Sequence, residues 1–230
     1  MATQSHIHAQ THAHQVAARQ SVPAPGQSRL EKLKAARRGP GEASFFWYES
    51  QFKNEAVKVL PGEYFVHDED ILIMTTLGSC IACCLWDSRA KIGGLNHFLL
   101  PDGGNDNSGR YGSFAMELLI NEMLKRGASR STLEAKVFGG GQVIAGMESM
   151  NVGERNTSFV MDYLRTERIP VVSKDVLDIH ARKVCFLPVS GKALVKRLAS
   201  TNTGALLARE RDAAQRIAPT QSVGGSVDLF

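Results

Sequence analysis

No stretch of this 230-residue sequence approaches the ~18–20 consecutive apolar residues of a membrane-spanning helix. Its first residues also lack the apolar segment that heads a secretory signal. Membrane insertion and export are therefore not expected. Cysteine is scarce, with four residues, three of them crowded at 80, 83 and 84. That pattern makes no disulfide framework and favours a reducing, cytoplasmic setting. A second cysteine pair, which a four-ligand zinc site would need, is missing because Cys185 stands alone. On one strand, positions 80 and 83 would also point to opposite faces. Cys83 and Cys84 are read as packing residues, and no metal is expected. Charge of one sign is lacking where it would matter. Residues 1–44 hold six basic and two acidic side chains, which leaves 21 of each in the remainder. A neutral body is not the surface of a nucleic-acid reader. Gly139-Gly140-Gly141 is not followed by the lysine of a phosphate-binding loop, and no cofactor is implied. No internal repeat is visible.

What is present suits one domain with tails, since 43% of residues are hydrophobic. Residues 1–44 are rich in Gln, Ala, His and Ser and read as a disordered basic tail. His6, His8, His12 and His14 are read there as solvated residues rather than metal ligands. Ser28-Arg29-Leu30-Glu31 has a capping-box pattern that starts a short helix through Arg37. Residues 45–200 form the domain, and 201–230 a C-terminal tail with a surface helix over 203–218. Phe45, Phe46, Trp47 and Tyr48 are expected to pack as a lid. Short apolar runs predict strands over 57–60, 64–66, 71–77, 81–86, 92–100, 135–138, 171–173 and 183–187. Residues 192–198 are expected to form a further closing strand, with a helix as the alternative. Met116, Leu119, Ile120, Met123 and Leu124 repeat at helical spacing between Ser113 and Gly127. Phe159, Val160, Tyr163 and Leu164 do so after Gly153-Glu154-Arg155-Asn156, before Pro170 stops the helix. Strands mixed with two or three helices, with no regular strand–helix–strand run, predict a layered α+β fold.

The chemistry concentrates between Thr75 and Pro101. An apolar strand ends in Gly78-Ser79-Cys80, a second follows at once, and a third ends at Pro101. If residues 87–90 are a four-residue hairpin loop, Trp86 pairs with Lys91 and Cys80 lies opposite His97. Opposed residues share a face with Cβ atoms about 4.5–5.5 Å apart. An imidazole there can take the thiol proton and make Cys80 a nucleophile. Gly78 and Ser79 leave room for a carbonyl, and amides around Cys80 can hold an oxyanion. The opposing reading is a buried small hydrophobe and a core histidine. His180 is a second candidate base, although nothing local sets it beside Cys80. The Gly and Asn of residues 102–109 suit a rim to the cleft, and the turn at Gly139–Gly141 is expected to line it through its backbone.

Leu77-Gly78-Ser79-Cys80 and Gly94-Leu95-Asn96-His97-Phe98-Leu99-Leu100-Pro101 resemble the CheD family of chemoreceptor glutamine deamidases. So do Glu55 to Tyr64, Arg110-Tyr111-Gly112, Phe138-Gly139-Gly140-Gly141, Gly153-Glu154-Arg155-Asn156 and Leu194 to Leu198. The resemblance covers roughly residues 45–200. It implies a β-sandwich-like core flanked by helices, and deamidation of selected glutamines on methyl-accepting receptors. Cys80 would be the nucleophile, His97 the base, and Thr75 or Thr76 the family's threonine. Gly78, Ser79, Asn96 and Gly140 are the expected substrate-binding or oxyanion positions. Receptors would be the partners of an expected monomer, with a CheC-type phosphatase as a possible second. A non-catalytic module docking on either partner is the alternative. A transglutaminase-like protein or a receptor methylesterase would share the nucleophile.

Overall fold

The computed structural model describes residues 28–99, 112–143 and 152–199, together with Gly204 and Ala208. The expected rim over 102–109 and the histidine-rich segment lie outside these residues, as does nearly all of the helix expected over 203–218.

Two five-stranded mixed sheets are stacked. The first has the order β1-β2-β4-β9-β10, built from β1 (Phe45–Glu49), β2 (Asn54–Lys58), β4 (Leu72–Leu77), β9 (Arg182–Phe186) and β10 (Ala193–Arg197). The second has the order β3-β6-β5-β7-β8, built from β3 (Tyr64–His67), β6 (Ile92–Phe98), β5 (Ile81–Asp87), β7 (Leu133–Gly139) and β8 (Val171–Val176). Phe46, Val57, Ile73 and Leu77 of the first sheet share one buried cluster with Phe65, Ala82, Cys84 and Leu95 of the second. The outer face of the second sheet carries two helices, α2 (Gly112–Lys125) and α3 (Val152–Thr166). Met116, Leu119, Ile120, Val160 and Leu164 pack there against Ile81, Cys83, Leu85 and Val137. The layers are thus sheet, sheet, helices, the expected α+β sandwich-like core flanked by helices. No helix among the described residues is long and apolar enough to cross a membrane.

Strand periodicity explains the division. Successive side chains on β5 alternate between faces. Ala82 and Cys84 face the other sheet, while Ile81, Cys83 and Leu85 face the helices. The packing role expected of Cys83 and Cys84 is what is observed.

Several expectations are corrected. Residues 28–44, read from sequence as the end of a tail, pack on the body. The capping box forms, with Ser28 and Glu31 bonding each other's backbone amides, and opens α1 (Arg29–Ala35). Leu33 and Ala43 join the core between the sheets. Of the aromatic cluster, only Phe46 is buried, while Phe45 and Tyr48 are exposed. The cluster is a strand, and alternation sends its rings to different faces. The closing strand expected within 192–198 needs no correction, since Ala193–Arg197 is a strand. β7 and β8 are parallel neighbours with α3 between them in sequence, so one strand–helix–strand unit is present. Helix α3 begins at Val152, so the Gly-Glu-Arg-Asn segment is its first turn and not its prelude.

The hairpin register also differs. Asp87 pairs with Ile92, Trp86 with Gly93 and Ala82 with His97, so the loop is residues 88–91. The Asp87 carboxylate causes the shift. It accepts from the amides of Arg89, Ala90 and Ser129 and from the Thr132 hydroxyl. Lys91, at φ 58°, returns its amide to the Asp87 carbonyl. Asp87 therefore closes the hairpin as its last paired residue, an aspartate-anchored turn that strand-length counting does not reveal.

Candidate active site

Strand β4 belongs to one sheet and β5 to the other. Gly78-Ser79-Cys80 between them is therefore the crossing from layer to layer, not a hairpin turn. Thr75 stands on β4, Cys80 ends the crossing, and His97 stands on β6. All three are buried, at 3%, 1% and 1% exposure. The site lies inside the sandwich, where water does not compete for polar contacts.

Cys80 is not opposite His97, because Ala82 takes that place. The slip amounts to two positions along β5, which preserves the face. Cys80 and Ala82 belong to the inter-sheet cluster, and His97 lies between Leu95 and Leu99 of the same cluster. Cys80 and His97 are thus diagonal neighbours on one face, a relation that long and aromatic side chains span.

The imidazole is held from the opposite sheet. The Thr75 hydroxyl donates to the Val59 carbonyl at 2.8 Å and lies 2.9 Å from His97 Nδ1. A hydroxyl has one proton. With that proton given to Val59, the threonine oxygen accepts from Nδ1–H. Burial lowers the His97 pKa to about 4, opposed by a hydrogen bond to the Val59 carbonyl, which can only accept. The Thr75 contact thus puts the ring proton on Nδ1. His97 Nε2 is then the bare nitrogen, and it is buried without a hydrogen-bond partner among the described residues. A neutral imidazole with an open Nε2 can accept a proton. Thr76, the other threonine open from sequence, pairs with Lys183 on the next position of β4, and strand alternation points it to the opposite face.

The crossing is fixed by three consecutive carbonyls. Gly141 N donates to Gly78 O at 2.8 Å, Asn156 Nδ2 to Ser79 O at 3.1 Å, and Gly140 N to Cys80 O at 2.8 Å. Glycine is required for this approach. A Cβ on Gly139 would sit 2.1 Å from Cys80 O, and Gly139 and Gly140 have φ of 113° and 66°. A Cβ on Gly153 would sit 2.3 Å from Gly140 O, so the start of α3 presses on the same segment.

Two expected binding positions are corrected. Asn96 is fully buried on the helix side of the second sheet. Its Oδ1 accepts from Cys83 N, and its Nδ2 donates to Ala115 O at 3.0 Å and approaches Met116 Sδ. It fastens β5 and β6 to α2 and does not face the cysteine. Its neighbour His97 faces the other way for the same alternation. The Gly140 amide is already engaged by Cys80 O, so it braces the crossing instead of meeting an oxyanion. Gly78 and Ser79 remain beside the nucleophile. His180 lies on the connection beside Gly141, to which it presents its backbone carbonyl. Its ring makes no hydrogen bond to the crossing among the described residues.

Sequence reasoning missed Asn156. Its segment was singled out, but no role was given to the side chain. It lies four and eight residues before Val160 and Leu164, so helical spacing puts it on the buried face of α3, but nothing local says what its amide meets there. Only the packing of α3 brings it to the crossing.

Comparison with known proteins adds the following. Residues 99–197 match the family model for CheD chemotactic sensory transduction. The chain is 63% identical over 204 residues to "Probable chemoreceptor glutamine deamidase CheD 1" of Albidiferax ferrireducens, covering 88% of this chain and 87% of that protein. It is 50% identical over 194 residues to "Probable chemoreceptor glutamine deamidase CheD" of a Janthinobacterium species, covering 82% and 95%. A Shewanella oneidensis relative named "Probable chemoreceptor glutamine deamidase CheD 1" is 51% identical over 193 residues, covering 80% and 92%. Among solved structures, the Bacillus licheniformis hypothetical protein YfiH aligns over 50% of this chain and 51% of its own at 10% identity, with a TM-score of 0.36. That last likeness is too remote to carry an argument.

Proposed function

The chain belongs to the CheD family, and we propose that it is a protein-glutamine amidohydrolase that converts selected glutamines of chemoreceptors to glutamate. The observation that carries this reading is the orientation of His97, whose Nδ1 is held by Thr75, itself bonded to Val59 O, while Nε2 stays bare on the face it shares with Cys80.

The reaction uses this chain's side chains alone. His97 Nε2 takes the Cys80 proton as Sγ attacks the carboxamide carbon of a glutamine side chain. The carbonyl becomes an oxyanion, for which the backbone amides of the crossing are the nearest donors. Collapse breaks the C–N bond, and His97 passes its proton to the departing nitrogen, which leaves as ammonia. Water then gives a proton to Nε2 and adds to the thioester. The C–S bond breaks, glutamate is released, and the thiol regains its proton. Thr75 does not touch the substrate, since it keeps the imidazole in the tautomer that this cycle starts from. A free glutamine side chain has little shape to recognise, so selection among receptor sites falls to the surface around the crossing. A cytoplasmic location is part of the same proposal.

The test is incubation with chemoreceptor cytoplasmic fragments, reading ammonia release and the +1 Da mass change of each glutamine. Turnover by the native chain that disappears in Cys80→Ala supports the reading. Undiminished turnover in Cys80→Ala rejects it. Binding to receptor fragments without any mass change makes the protein a docking module. Methanol release in place of ammonia release makes it a methylesterase, and ammonia release with amine incorporation in place of the +1 Da change makes it a transglutaminase.

A further inference from the structure

We propose that Asn156 is a positioning residue for the oxyanion-binding amide of Cys80; the inference rests on the amidase reading above. Asn156 is fully buried in the first turns of α3. Both of its Nδ2 protons are engaged, one by Ser79 O at 3.1 Å and one by Leu99 O at 2.8 Å. It therefore ties the residue before the nucleophile to the end of the strand that carries His97.

The peptide plane gives this bond its consequence. Ser79 C=O and Cys80 N–H belong to one planar trans unit, so they point in opposite directions. Holding Ser79 O toward α3 fixes Cys80 N–H away from α3. The flanking carbonyls of Gly78 and Cys80 are held toward the 139–141 segment in the same way. Among the described residues, the central carbonyl is the one held by a side chain, and it is the one that sets the Cys80 amide.

A second observation separates this role from ordinary packing. Asn156 Oδ1 is buried and has no hydrogen-bond partner among the described residues. An orphaned buried acceptor destabilises a fold, and native structures keep few of them. Asn156 carries that defect beside two engaged donors of the same planar amide. Conflicts of this kind between stability and local geometry gather at functional sites.

The experiment compares two reactions of Cys80. Deamidation develops an oxyanion and needs the aimed amide. Alkylation by iodoacetamide is a displacement at carbon that develops none. Asn156→Leu keeps the volume and removes both donors. Asn156→Ala serves if the leucine variant does not fold. Leu164→Ala, in the same helix and buried against the second sheet, reports what loss of stability alone does. The expected result is a roughly 10–100-fold fall in kcat with KM nearly unchanged, the signature of an interaction made only in the transition state. Alkylation of Cys80 should stay within about threefold of the native rate, and Leu164→Ala should lower Tm while sparing kcat. Parallel loss of turnover and alkylation would mean that the whole crossing has collapsed, and unchanged kcat would mean that the amide needs no such support. Either result overturns the inference while leaving the amidase reading intact. The amidase reading fails separately if the native chain shows no Cys80-dependent turnover.

Discussion

Thr75 Oγ1 lies 2.9 Å from His97 Nδ1, joining a residue of one sheet to a residue of the other. The contact decides which ring nitrogen is bare. Removing the oxygen while keeping the shape should loosen the ring and its tautomer. Thr75→Val is expected to lower kcat/KM roughly 10–100-fold, less than loss of the general base itself would cost. Thr75→Ser keeps the hydroxyl and should retain most activity. Ammonia release from a receptor fragment measures both, and an active valine variant would remove Thr75 from the mechanism.

Cys80 should be the most reactive of the four thiols. Burial pushes Cys83 and Cys84 well above the usual thiol range and Cys185 up to about 11. Limited iodoacetamide labelling followed by peptide mapping should find Cys80 modified first, and His97→Gln should slow that labelling at least tenfold. Equal, slow labelling at all four positions would contradict the proposed pair.

Burial of His97 also makes stability depend on pH. Its pKa is about 4 when folded, below the ordinary 6.5. Between those values the unfolded chain binds a proton that the folded chain refuses. Stability is therefore whole above pH 6.5 and falls as pH drops toward 4, by on the order of 3 kcal/mol at the end of that window. Urea unfolding at pH 7 and pH 4.5 should show a larger loss in the native chain than in His97→Gln. Equal losses would mean that His97 is not the group responsible.

Gly153→Ala should damage the site from a distance. The added methyl would meet Gly140 O at 2.3 Å, and backbone cannot swing aside as a side-chain tip can. Overpacking of this kind costs about 1–3 kcal/mol. The displaced Gly140 amide would then release Cys80 O. Both Tm and turnover are expected to fall. Gly127→Ala, where nothing lies within 4 Å of the new methyl but φ is 102°, should lower Tm and leave turnover per folded molecule unchanged. Unaltered turnover in Gly153→Ala would show that the crossing tolerates movement of its brace.

Much of this protein could be read along the chain because the relevant physics is local. Alternating and helical periodicities gave most strands and the stripe of α2. Glycine at 78 and at 139–141 marked tight backbone, and the motif around Cys80 and His97 pointed to the family. Parity placed Cys80 and His97 on one face, and parity survives a two-position slip in register. The tertiary structure decided the rest. Whether β4 and β5 pair or part into different sheets is set by which apolar faces meet, and no short stretch encodes that. The same packing chose Thr75 over Thr76, turned Asn96 toward a helix, and carried Asn156 to the carbonyl before the nucleophile. Each of those outcomes depends on a partner far away in sequence, so it exists only once the layers have closed.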